Sequence, residues 1–305
     1  MIVQPQKLPK VTYFETCPTR VNGQESKRAL VVLNSHRPCS YALRSKPPKP
    51  CKFCAFWKGS PAVDGEPFET IISKAAQNGA KRIELLPGGS MLDQKQIRTE
   101  ELRSMLDLLS KLSIESVFIP SRPEFVDDRL VEFVKILGQV KLEIGLGLET
   151  FDDSLRESLG KGFTTADYLA AVERIVNVGA IPVTFILTGL EMSRENAMTD
   201  LMETGRRLGI LQKQYGIPLR IALEPYFKTK STSVTAGAYM SPEFIAEAVI
   251  SLVKDFGLEV FVATSGEGHS THPLESVKAQ IEQFNLTQKI EVLVSLLDRS
   301  MRGNG

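Results

Sequence analysis

Ala29-Leu-Val-Val-Leu33 runs directly into Asn34-Ser-His-Arg-Pro-Cys39-Ser-Tyr-Ala-Leu-Arg-Ser-Lys-Pro-Pro-Lys-Pro-Cys51-Lys-Phe-Cys54-Ala-Phe-Trp57. The first five residues are apolar and partly β-branched, so they read as a buried strand. The segment after Leu33 has no hydrophobic period and is crowded with proline, serine and basic residues, so it reads as a loop. A strand that feeds a long loop and then a helix is the opening of a β–α unit.

Outward from this unit the same alternation repeats. Glu69–Asn78 reads as a helix ended by Gly79, followed by a strand at Arg82–Leu86 and the turn Pro87-Gly88-Gly89-Ser90. Helix Thr99–Leu112, strand Ser116–Pro120, helix Val126–Leu137 and strand Val140–Leu148 come next. Helical segments at Asp152–Leu159 and Thr165–Val178 precede a strand at Ile181–Leu187. Helix Arg194–Tyr215, strand Leu219–Leu223, helix Pro242–Phe256, strand Leu258–Ala263 and one long helical stretch at Pro273–Leu297 close the chain. Strand–helix alternation of this kind implies parallel strands with crossover helices. The expected fold class is α/β, a partial (β/α) TIM-like barrel of about six to seven parallel strands rather than the full eight. Residues 1–28 show no period and carry Pro5, Pro9 and Pro18, so they are expected to be an N-terminal extension to one domain spanning 29–305.

Composition narrows the functional classes. The 305 residues are 42% hydrophobic and 24% charged, as in a soluble globular domain. Neither a signal peptide nor an apolar run of about 18 residues is present, which points away from secretion and the membrane and toward the cytoplasm. Formal net charge is +1, so there is no bulk attraction for nucleic acid. A local basic cluster, Arg37, Arg44, Lys46, Lys49, Lys52 and Lys58, surrounds the cysteines and is either a solvated loop or a contact surface.

Three of the four cysteines, Cys39, Cys51 and Cys54, lie within 16 residues. In a reducing compartment clustered thiols serve metals rather than disulfides. A structural zinc site would need a fourth ligand, Cys17 or His36, and usually a second close pair, whereas only Cys51 and Cys54 are so spaced. Three thiolates can instead hold three irons of a cubane iron–sulfur cluster and leave the fourth iron open. Cys17 then remains a free thiol. His269, His272 and Glu267 form either a second metal group or a polar loop lining a pocket.

In a parallel α/β fold, ligands bind where strands lead into helices. The cysteine loop, Gly88–Ser90, Arg122–Glu124, Glu149–Thr150, Thr188–Gly189 and Glu224–Tyr226 all follow expected strands and should therefore converge. A strand, a three-cysteine loop ending Cys-x-x-Cys-x-aromatic, and a Gly-Gly turn after the second strand together resemble the radical S-adenosylmethionine (SAM) superfamily. The eleven residues between Cys39 and Cys51 exceed the usual three. Such spacing is found in the branches of the archaeosine synthase radical SAM subunit and the Elongator catalytic subunit. Gly89-Ser90-Met91-Leu92-Asp93, Ser121-Arg122-Pro123-Glu124-Phe125-Val126, Gly147-Leu148-Glu149-Thr150 and Lys161-Gly162-Phe163-Thr164 are similar to the archaeosine branch.

The resemblance implies an enzyme with a 4Fe–4S cluster on Cys39, Cys51 and Cys54. It implies that SAM chelates the open iron and is cleaved reductively to a 5′-deoxyadenosyl radical, which takes hydrogen from a substrate. Gly88, Gly89 and Ser90 would meet the SAM amino group and Arg122 its carboxylate, through paired hydrogen bonds. Glu149 would accept from the ribose, while Thr188, Gly189 and Phe56 would border adenine. Each has a simpler alternative: a turn, a surface ion pair with Glu124, a helix N-terminal acid, a packing aromatic. A flavodoxin- or ferredoxin-type reductant is the implied partner. The branch implies a tRNA substrate, with a small metabolite handled in a biotin-synthase-like manner as the alternative. Without a second cysteine cluster, sulfur insertion from an auxiliary centre is disfavoured. A non-catalytic zinc- or cluster-binding scaffold is the rival of another class. The catalytic residues and the atom attacked are not legible.

Overall fold

The computed structural model describes residues 8–34, 37–58, 64–229, 232–264 and 274–302, with backbone only for 298–302. In chain order the elements are β1 (Lys10–Val21), β2 (Gln24–Leu33), β3 (Glu66–Pro67), α1 (Phe68–Gln77), β4 (Arg82–Leu86), α2 (Thr99–Ser110) and β5 (Ser116–Ser121). Then come α3 (Arg129–Leu137), β6 (Lys141–Glu149), α4 (Asp153–Ser158), α5 (Thr165–Asn177), β7 (Ile181–Thr188) and α6 (Arg194–Tyr215). The last are β8 (Arg220–Pro225), α7 (Pro242–Phe256), β9 (Glu259–Val262), α8 (Lys278–Thr287) and α9 (Glu291–Arg302). Contacts divide the chain into two compact units, residues 1–146 with 166–182, and residues 147–165 with 183–305.

In the first unit β2, β4, β5 and β6 pair in parallel, in that order. Successive side chains of a strand face opposite sides. Ala29, Val31 and Leu33 of β2 and Ile83 and Leu85 of β4 are wholly buried on one face. The other face carries charge. The Arg82 guanidinium lies between Glu84 and Glu143, with Nη2 2.9 Å from Glu143 Oε2, and all three side chains are buried. Arg28 of β2 reaches Glu84 at 3.1 Å, and Arg82 lies 4.9 Å above the Phe118 ring of β5. One polar group thus crosses four strands.

Part of the stretch expected as an N-terminal extension belongs to the sheet. Lys10–Val21 is a twelve-residue strand, antiparallel to β2, and the two meet at Asn22-Gly23. Both turn residues have positive φ, 50° and 77°, the geometry in which Asn-Gly is favoured between strands. The strand was hidden because its burial follows no simple alternation: it lies near the sheet's edge, with Pro18 where no further strand pairs among the described residues. Strand β2 also begins five residues earlier than Ala29.

In the second unit β7, β8 and β9 are parallel neighbours, with α7 packed against α6 and α9. Ser193 and Ser241 cap α6 and α7 through bonds from Asn196 N–H and Phe244 N–H, and left-handed Gly216 and Gly257 end them. The expected single stretch at Pro273–Leu297 is instead α8 and α9, broken at Gln288 with φ 56°. Gln288 turns back to β9, accepting from Val260 N–H and donating to Val260 O.

Removing one carboxylate from around a buried guanidinium leaves charge uncompensated. Glu143→Ala is therefore expected to lower unfolding free energy by about 3 kcal/mol. Urea denaturation of the variant against wild type measures this.

Candidate functional site

The candidate residues lie at the carboxyl ends of parallel strands, with β6 passing from the first unit into the second after Leu146. In the first, Cys39–Cys54 follow β2, Gly88–Ser90 follow β4 and Arg122 follows β5. The cysteine loop is closed at its base by Cys39 N–H donating to Trp57 O at 2.9 Å, and turns at its tip through Cys54 N–H to Cys51 O at 3.0 Å. None of the three is in a disulfide and all are half-buried, as is Cys17. Among the described residues no three His, Cys, Asp or Glu side chains are gathered as a ready metal group, so the loop holds the thiols in one segment without clustering them. Cys17 stands apart on β1, where its sulfur accepts from Arg28 Nε at 3.2 Å. His36, Glu267, His269 and His272 lie outside the described residues.

Arg122 is joined to this loop. Its Nη1 lies 4.0 Å from Cys51 Sγ, its Nε bonds Glu124 at 2.5 Å, and its guanidinium stacks 3.5 Å above the Tyr41 ring. A cation beside a thiol favours the thiolate, the form that binds metal. Glu124 is therefore a partner of Arg122, as the simpler reading allowed, while Arg122 also faces the thiol.

The Gly-Gly turn is held by contacts that the sequence did not reveal. Ser90 Oγ accepts from Arg122 N–H at 3.1 Å, and Met91 N–H donates to Pro120 O at 2.8 Å, tying the end of β4 to the end of β5. Gln96 Oε1 accepts from Ser90 N–H at 2.8 Å, and the Gln96 amide lies where a Cβ on Gly89 would be. Gly88 has φ 75°. Gly88 is thus required by its backbone angle, while a Cβ at Gly89 would displace the Gln96 amide from Ser90 N–H. Buried Asp93 accepts from Ser40 Oγ and so anchors the cysteine loop to this turn. Phe56 is 52% exposed, so it presents an open ring rather than packing in a core.

In the second unit Glu149 ends β6 with φ 68°, rare for a residue with a side chain. It is 5% exposed and paired with buried Lys161 at 2.8 Å. A Cβ at Gly147 would come within 2.7 Å of both charged groups, so the glycine makes room for this pair. Lys161 is thus withdrawn from solvent. Arg156, fully buried, donates from Nη2 to Asp153 at 2.5 Å and to Thr165 Oγ1 at 2.9 Å, bracketing the Lys161–Thr164 segment.

Glu149, Thr150 and Thr188 line a small pocket, partly open to solvent and with room for little more than a water, walled by Leu155, Leu187 and Met192 and closed by Asp200 and Tyr239. Gly189, at φ 93°, is pressed against the Tyr226 backbone, with its N–H donating to Tyr239 Oη at 3.1 Å. Burial pushes the Tyr239 phenol up. Burial likewise raises the Asp200 carboxyl above its usual 3.8, opposed by the Thr150 hydroxyl that donates to it at 2.5 Å. Tyr226 is buried, its hydroxyl turned to Thr232 and Val234 O, so it supports a loop. Asp200, Tyr239, Gln96 and Tyr41 carried no spacing signal; they come into place through long-range contacts.

Three cysteines on the loop after the first parallel strand, with a Gly-Gly turn after the next, define the radical SAM class of enzymes, whose cofactors are SAM and a 4Fe–4S cluster. Residues 47–204 match the radical SAM superfamily, and the chain belongs to that family. The archaeosine synthase subunit beta of Thermococcus kodakarensis is 25% identical over 236 residues, 74% of this chain and 67% of that one. The tRNA-2-methylthio-N(6)-dimethylallyladenosine synthase of Herpetosiphon aurantiacus is 25% identical over 179 residues, 56% of this chain and 39% of that one. The crystal structure of Streptococcus suis SuiB bound to S-adenosylmethionine shares the fold at TM-score 0.55 and 17% identity, over 78% of this chain and 50% of that one. The chain thus spans between two fifths and two thirds of the length of these proteins.

A carboxyl whose folded pKa is raised holds its proton more tightly in the native state than when unfolded. Its burial penalty is fully present at neutral pH and is relieved as pH falls through the raised value toward 3.8. Asp200→Asn keeps an acceptor for Thr150 and is expected to be more stable than wild type at neutral pH. The gain should vanish below the ordinary carboxylate range, as read from thermal unfolding across pH.

Proposed function

We propose that this chain is a cytoplasmic radical SAM enzyme that modifies a nucleoside of tRNA, holding its cluster through Cys39, Cys51 and Cys54. The observation that carries the reading is the first unit's arrangement: three-thiol loop, Gly-Gly turn and Arg122 stand at the ends of three neighbouring parallel strands. The donor set fits an iron–sulfur cubane, since three thiols share one loop and a guanidinium already faces Cys51.

When bound, the cluster and SAM supply a 5′-deoxyadenosyl radical able to take hydrogen from an unactivated carbon. The chain's own residues bind, orient and exclude water. Arg122, stacked on Tyr41 and bonded to Glu124, is in this reading the cation that meets the SAM carboxylate. The backbone of Gly88, Gly89 and Ser90 offers carbonyls to an ammonium. Glu149 keeps a second oxygen for a ribose hydroxyl while Lys161 holds the first. In the second unit Thr188 and Gly189 stand at the end of β7 with backbone groups for the edge of a heterocycle, and in the first unit exposed Phe56 offers an open ring face for stacking. The tRNA substrate rests on the two relatives named above, one an archaeosine synthase subunit and the other a synthase of a modified tRNA base. A low-potential electron donor of flavodoxin or ferredoxin type belongs to the same reading.

Anaerobic reconstitution followed by reduction with SAM should yield 5′-deoxyadenosine, and chromatography of digested tRNA should show an altered nucleoside. Zinc in place of iron, with SAM intact, would reject the reading. Cys51→Ala is expected to lose nearly all cluster iron, whereas Cys17→Ala should bind the wild-type amount. Equal loss from both would overturn the ligand assignment.

A further inference from the structure

We propose that the loop between Cys39 and Cys51 is an RNA-docking surface that grips phosphates through Lys46 and Lys49. The inference rests on the tRNA reading above and assigns the contact to a particular segment. Between Ser26 and residue 63 there is no aspartate or glutamate, but eight lysines and arginines. With the whole chain at +1, the rest of it is net acidic, so positive charge is concentrated in this stretch. Arg44, Lys46, Lys49, Lys52 and Lys58 are all exposed.

The five cations do different work. Arg44 is spent internally: its Nη1 donates to Tyr41 O at 2.7 Å and Lys49 O at 2.5 Å, and its guanidinium stacks 3.6 Å above the Tyr41 ring. Tyr41 is the ring over which Arg122 also lies, and Arg122 reaches Cys51. Two arginines on one ring therefore fasten the loop to the cysteine site. Lys49 N–H donates to Ala42 O at 2.8 Å, and Pro47, Pro48 and Pro50 restrict the backbone between these anchors. The loop is a braced platform, so little ordering entropy opposes a partner.

Lys46 and Lys49 stand on that platform, and neither ammonium has an ion-pair or hydrogen-bond partner among the described residues. Lysine is a hydrated point charge that suits phosphate oxygens in a backbone. Ring and aliphatic surface is interleaved with this charge: Leu43 is 46% and Phe56 52% exposed, and Lys58 lies 5.5 Å from the Trp57 ring. Cations beside open ring faces match an RNA strand, whose phosphates alternate with stackable bases. An acidic electron-donor protein would use the charge but not the rings, which favours RNA as the occupant.

The test is binding of an unfractionated tRNA pool to cluster-loaded protein by fluorescence anisotropy, between about 50 and 200 mM salt. Lys46→Ala with Lys49→Ala should weaken binding about tenfold at the lower salt and reduce the slope of log affinity against log salt by about two, one per lost phosphate contact. Lys46→Arg with Lys49→Arg, which keeps the charge, should restore the slope; this variant guards against a collapsed loop, as does iron content. Lys213→Ala with Lys254→Ala, exposed lysines elsewhere, should leave the slope unchanged. An unchanged slope in the alanine pair while wild type binds tRNA overturns this inference alone. So does an unaltered affinity accompanied by slower cluster reduction by flavodoxin, which would assign the loop to the electron donor. Wild-type protein that cleaves SAM but binds no tRNA would remove the substrate reading, and this surface with it.

Discussion

Arg82 sits between two carboxylates on the charged face of the first unit's sheet, and the register of four strands depends on it. Its partners come from its own strand and from β6, the ring beneath it from β5, and Arg28 of β2 completes the group. A one-residue slip of any of these strands would turn a charged side chain into the apolar face and leave its counterion buried alone. The network adds little net energy over an apolar core, but it makes the alternatives costly. That register is what sets the ends of β2, β4 and β5, and with them the cysteine loop, the Gly-Gly turn and Arg122.

Those three loops are then tied to one another by bonds that do not involve any cofactor. Ser90 links to Arg122, Asp93 to Ser40, and Tyr41 carries Arg122 on its face. The arrangement separates two tasks. Backbone and neutral side chains hold the turn, which leaves thiols, carbonyls and one guanidinium as the groups proposed above to meet a ligand. Orientation achieved in advance lowers the reorganisation needed when a substrate binds. The second unit follows the same division on its own strands, with Glu149 fixed by Lys161 and the pocket wall left apolar.

Much of this was legible because it is local. Arg82–Leu86, Arg194–Tyr215 and Pro242–Phe256 begin and end where apolar period, serine caps and glycine stops place them. The placing of the cysteines, Gly88–Gly89 and Arg122 just after strands was legible for a related reason: each follows a short apolar run whose end the sequence marks. The edge strand β1 was missed because half of it faces solvent, though Asn22-Gly23 marks the hairpin. The break at Gln288 is tertiary in origin, bought by hydrogen bonds to β9. Gln96, Tyr41 and Asp200 act on residues far from them in sequence, and no local pattern encodes such contacts.

The exposed side of β1 also bears on how the protein avoids its own copies. Beyond Lys10 and Val11, which meet β3, no strand pairs with its outer edge among the described residues. An open row of backbone donors and acceptors invites strand addition and fibre growth. Here Pro18 removes a donor, and Glu15 and Arg20 place opposite charges along the rim. The same irregular mixture that concealed the strand from a reading of periodicity is what keeps it solitary: a cleaner alternation would have been easier to recognise and more prone to aggregate.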